Sequence, residues 1–122
     1  MEKVITRNIV IITLAFFSIQ CGINAPCRNE TNLEVNSPDS TYVASVSERD
    51  CGATTDFSTI VSIRKTGIQI VGDEGIIFLV KGESKIRLSW ITDRKLQIDC
   101  PDCSTNHTFR KEKNWNDVQI IY

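Results

Sequence analysis

Along most of the chain apolar and polar side chains alternate with a period of two, the signature of half-buried strands. Tyr42, Ala44 and Val46 fall on one face of a first strand. Phe57, Thr59, Val61 and Ile63 share a face of the next, with Ser58, Ser62 and Arg64 opposite. Ile76 to Val80 is continuously apolar, which predicts a central strand covered on both faces. Ile86, Leu88 and Trp90 alternate with Lys85, Arg87 and Ser89, and Leu96 and Ile98 alternate with Lys95, Gln97 and Asp99. Val118, Ile120 and Tyr122 carry a last strand to the C-terminus. Turn-forming residues punctuate these runs at Ser37-Pro38-Asp39-Ser40, Thr66-Gly67, Gly72-Asp73-Glu74-Gly75, Gly82-Glu83-Ser84, Thr92-Asp93-Arg94 and Asn114-Trp115-Asn116-Asp117. After Cys21 no stretch carries a helical stripe. The pattern predicts an all-β fold, a single antiparallel meander of roughly six or seven short strands curled into a small sandwich or partly open barrel.

The N-terminus follows a different rule. Met1 to Asn8 carries Lys3 and Arg7 against Glu2, and Ile9 to Ile19 is then apolar apart from Thr13 and Ser18. A basic start, a short apolar run and a small-residue exit are the layout of an export signal. The run is too short for a membrane-spanning helix, which needs about 20 apolar residues. Cys21 stands at the distance from the run at which bacterial lipoproteins are cut and acylated, although Gln20 occupies a position where a small residue is usual. The sequence therefore divides into a signal peptide over 1–20, a polar tether without periodicity over 21–36 and a β-domain over 37–122. Lipidation of Cys21 is expected, with the membrane as partner through the lipid.

Removing the leader leaves 102 residues, enough for one domain. It also leaves 12 basic and 14 acidic side chains, and so near-neutral a surface argues against nucleic acid as a partner. With Cys21 reserved for lipid, four cysteines remain, an even number suited to an oxidising compartment. Four thiols allow three pairings. The favoured one joins Cys27 to Cys51, tying the mature N-terminus to a strand end, and Cys100 to Cys103, stapling a turn around Pro101-Asp102.

Two segments carry a resemblance. Ser37-Pro38-Asp39-x-x-Tyr42-x-Ala44 and Arg49-Asp50-Cys51-Gly52-Ala53-Thr54-Thr55-x-Phe57-x-Thr59-x-Val61-Ser62-Ile63 resemble elements of a group of small bacterial exported proteins and lipoproteins. This chain has Ser40 where the group has Gly. The resemblance implies export and an all-β domain. It brings no activity with it.

Candidate chemistry is sparse. Arg49, Asp50, Thr54 and Thr55 form a polar loop between strands and are the first candidates for contact with a protein partner. The structural reading of the same residues is a turn, with Gly52 in a left-handed conformation and the hydroxyls bonded to local amides. Cys100-Pro101-Asp102-Cys103 has the spacing of a redox dithiol but lacks the helix N-terminus that activates one. Zinc through Cys100, Cys103 and His107 is short of a fourth ligand, so no metal is expected. His107 is the single histidine, with no acid in view to orient it as a base. No cofactor is expected. These observations together predict a non-enzymatic, membrane-tethered β-domain of the bacterial envelope. A periplasmic inhibitor or immunity-type protein is the alternative, and a thiol oxidoreductase using Cys100 and Cys103 a further one.

Overall fold

The computed structural model describes residues 27–52, 57–69, 73–104 and 107–122. The leader, Cys21, Thr54 and Thr55 lie outside the described residues. Among those described, the chain forms nine strands and no α-helix: β1 (Arg28–Asn36), β2 (Tyr42–Asp50), β3 (Ser58–Lys65), β4 (Ile76–Lys81), β5 (Arg87–Thr92), β6 (Lys95–Asp99), β7 (Thr108–Lys111), β8 (Asn114–Trp115) and β9 (Val118–Ile121). They make two sheets, one in the order β1-β2-β3-β4-β7 and the other β5-β6-β9-β8. The all-β expectation holds, and the sheets do not close into a barrel.

The alternating residues supply the core. Tyr42, Ala44, Val46, Val61 and Ile63 of the larger sheet face Leu88, Leu96, Ile98, Val118 and Ile120 of the smaller one. Each Val, Leu or Ile among them contributes about 1.5–3 kcal/mol by leaving water. In β4 a register shift opposite Val61 and Ser62 leaves Ile77 as an extra residue between the pairs Val61–Phe78 and Ser62–Ile76. A bulge of this kind re-aims side chains, and both Ile77 and Phe78 join the core although they are neighbours in sequence.

Several expectations need correction. Residues 28–36 are not a tether: they form β1, paired antiparallel with β2 from Arg28–Asp50 to Asn36–Val43. As an outer strand β1 is exposed along almost all its length, so burial imposes no alternation on it. The topology is not a simple meander. After β4 the chain crosses to the smaller sheet for β5 and β6, returns for β7 beside β4, and crosses again, so that β9 lies parallel to β6. Alternation marks strands but not their partners. β4 is the expected central strand, between β3 and β7, with Ile76, Ile77, Phe78 and Val80 buried and Leu79 half-buried. Phe57 precedes β3 and is 48% exposed rather than in the core.

One end of the sandwich is closed by a polar clasp. Ser37 Oγ donates to Asp39 Oδ1 (2.8 Å) and accepts from the Tyr42 amide (3.0 Å), which folds the turn before β2. Ser40 in that turn has φ 60°, a left-handed conformation that suits glycine. The Tyr42 hydroxyl crosses to the other sheet and donates to Asp117 Oδ1 at 2.6 Å. Arg94 bridges Asp117 (3.0 Å) and Asp39 (2.9 Å), with its guanidinium 4.9 Å from the centre of the Tyr42 ring. Trp115 packs edge-on against the same ring. At the side, Trp90 Nε1 donates to the Val35 carbonyl (3.0 Å) and fastens β1 to the smaller sheet.

Candidate functional site

Alternation in the larger sheet sends one set of side chains to the core and the other to its outer face. On that outer face cross-strand partners line up in rows: Asn29 beside Arg49, Thr31 beside Ser47 and Ile60, Glu34 beside Ser45 and Ser62. With Arg64, Ile76 and two residues of the β3–β4 connection, Gln69 and Glu74, they line a groove of about 370 Å³. Its floor is held by hydroxyl pairs, Thr31 Oγ1 to Ser47 Oγ at 3.2 Å and Ser45 Oγ to Ser62 Oγ at 2.8 Å. Ser47, Ile60 and Ile76 are buried there.

Two guanidiniums are fixed on this floor. Arg49 Nε donates to Asn29 Oδ1 (3.2 Å), and its Nη2 donates to Asp73 Oδ1 (2.9 Å). Arg64 Nη2 lies 3.5 Å from Glu34 Oε1. In each pair the arginine is the more enclosed partner, 18% and 27% exposed against 66% and 53% for the carboxylates. Ion pairs with solvent-facing carboxylates are worth about 0–1 kcal/mol, so the pairing orders the arginines more than it stabilises the fold. The arrangement presents donors and acceptors side by side. It is suited to hydrogen-bonded recognition of a polar ligand.

The sequence-predicted residues separate. Arg49 belongs to the groove. Its neighbour Asp50 points to the other face of β2, as adjacent strand residues must, and accepts the Gly52 amide at 2.9 Å where the chain turns into the staple. Gly52 has φ +120°, the left-handed type of conformation expected of it. Both residues lie at the end of β2 rather than in a loop. Sequence reasoning missed Asn29, Thr31, Glu34, Ser45 and Ser47. Ser62 and Arg64 were visible as the polar side of β3, but reading β1 as a tether hid the strand that completes the wall.

Cys27 is paired with Cys51 and Cys100 with Cys103. Asp102 Oδ1 lies 3.3 Å from Cys100 Sγ, a contact without a proton because a disulfide sulfur carries none. Cys100 and Cys103 border a second cavity of about 410 Å³ with Phe78, Ile98, Lys111 and Tyr122. The Tyr122 phenol donates to the Glu112 carbonyl at 2.6 Å, and burial, with the Glu112 charge, pushes its pKa up to about 12. His107 lines a separate depression with Phe57, Lys81, Gly82 and Glu83, away from the two sulfurs. Asp102, rather than His107, is the potential ligand beside them.

No known family model, curated protein or solved structure matches this chain.

Proposed function

We propose that this protein is an exported binding domain of the bacterial envelope, held at a membrane by lipid on Cys21, and that the groove on the outer face of its larger sheet is the ligand surface. The observation that carries the binding role is that groove: ordered guanidiniums and hydroxyl pairs converge on one concavity instead of being scattered over the sheet. The reading favours binding over catalysis because His107, the base of a Ser-His arrangement, lines a different depression. The tether rests on the leader, on the position of Cys21 and on the even set of cysteines that remains once Cys21 is set aside.

Expression of the full chain in a bacterium, followed by fractionation and intact mass, tests the tether. The expected product sits in the membrane fraction, begins at Cys21, carries acyl mass and shows two disulfides. Cys21→Ala should leave it unprocessed or release it. An unacylated wild-type product, or a Cys21→Ala variant that is still cut at the same place and still sits in the membrane fraction, would remove the anchor.

A further inference from the structure

We propose that the groove takes a neutral, polyhydroxylated ligand, a stretch of glycan chain; the inference rests on the groove being the binding face. Charge is the first reason. Arg49 and Arg64 already face three carboxylates, Glu34 and Glu74 in the lining and Asp73 on Arg49. An anionic ligand would meet those carboxylates and a cationic one the guanidiniums, whereas a neutral ligand adds no uncompensated charge.

The second reason is the supply of hydrogen-bonding groups. A sugar hydroxyl donates and accepts at once, so it fits where donors and acceptors adjoin. Each floor pair, Thr31 with Ser47 and Ser45 with Ser62, spends one O–H on its partner. The second proton and the oxygen lone pairs can serve a ligand hydroxyl. Asn29, Gln69, Glu34 and the two guanidiniums add planar groups with paired donors or acceptors to the lining.

The third reason disfavours a peptide. Extended peptides bind sheets by adding a strand to a free edge. The groove lies on strand faces whose backbone is already committed to the β1–β2 and β2–β3 ladders, so no main-chain ladder is on offer. A volume of about 370 Å³ falls within the usual span of small-ligand sites, about 300–1,000 Å³.

The test titrates the full chain, processed by the cell and purified in detergent, against neutral hexasaccharides of the cello, xylo, manno and chito series by calorimetry. Polygalacturonate and an acidic decapeptide serve as comparators. Ser45→Val and Arg64→Gln are made separately, so that a folding defect in one does not decide the outcome. At least one neutral sugar should bind, with affinity nearly unchanged between about 50 and 500 mM salt. It should weaken about tenfold in each variant that keeps the wild-type circular dichroism spectrum. Binding of polygalacturonate or the peptide only, weakened by Arg64→Gln, would overturn the assignment of a neutral glycan while leaving the groove as a binding face. Failure of every probe, or binding that neither variant alters, would overturn both.

Discussion

Removing the Cys27–Cys51 staple should cost the domain about 3.4 kcal/mol. The two cysteines are 24 residues apart. In the chain-entropy account, cross-linking a loop of that length restricts the unfolded chain by an amount equivalent to about 3.4 kcal/mol at 25 °C. The Cys100–Cys103 bridge spans 3 residues and on the same reckoning gives about half as much. The native side should change little, because β1 keeps its ladder to β2 and its Trp90 anchor without the sulfurs. A domain of this size is stable by only about 5–15 kcal/mol, so the loss is large without being fatal. The assay is urea unfolding at pH 7 of wild type, the Cys27→Ser/Cys51→Ser variant and the Cys100→Ser/Cys103→Ser variant, by tryptophan fluorescence. The midpoint should fall most for the Cys27/Cys51 variant, with the slope showing at most a modest rise from a less compact unfolded state. A loss under about 1 kcal/mol for that variant, or a greater loss for the Cys100/Cys103 variant, would refute loop entropy as the source.

Ser40→Gly should raise stability by about 0.5–1 kcal/mol in the same assay, because the left-handed backbone at φ 60° costs an L-residue about 1–2 kcal/mol and glycine's extra unfolded freedom returns only part of that; Ser40→Val should lower it. The clasp predicts an acid limb. Hydrogen bonds from Ser37 and Thr41 hold Asp39 below the ordinary carboxylate range, and the Tyr42 hydroxyl, followed by Arg94, does the same for Asp117. Because both folded values are depressed, their stabilisation is complete above the ordinary pKa near 3.8 and is lost as pH falls further; urea midpoints between about pH 6 and 2 should show that loss, smaller in Asp117→Asn. Tyr122 gives an alkaline counterpart. Its raised pKa keeps the phenol neutral in the fold, so this contribution is present below the ordinary value of 10.0 and declines as pH rises towards about 12. Absorbance titration near 295 nm should show no tyrosinate forming at pH 10 in the folded protein, and a group ionising there that Tyr122→Phe removes would count against the burial.

The strands that contribute the core were legible because burial on one face forces alternation: Tyr42-x-Ala44-x-Val46, Leu96-x-Ile98 and Val118-x-Ile120 all fall where the two sheets meet. The cysteine pairs were legible too, since strand ends and a tight turn bring them within reach. What failed has a common physical cause. An outermost strand such as β1 is exposed along most of its length, so Arg28 to Asn36 can be mostly polar, with only Leu33 and Val35 apolar, and still form a ladder. Pairing is set by loops that cross between sheets, and nothing in the alternation of β6 and β9 distinguishes a parallel neighbour from an antiparallel one. The groove was half legible for both reasons. Ser62 and Arg64 declared a polar side, but their significance depends on Asn29, Thr31 and Glu34 arriving from the unrecognised strand.

If Cys21 is acylated as proposed, then with β1 starting at Arg28 little slack remains between the lipid and the folded body. Six residues stretched fully reach only about 20 Å, against about 50 Å had the leash run to residue 36. The staple would thus moor the domain by its Cys27 end, with the strands standing up from the lipid surface. Arg49 would lie low and Arg64 about 20 Å higher along the strands, so a molecule captured there must come to the bilayer rather than be fished from afar.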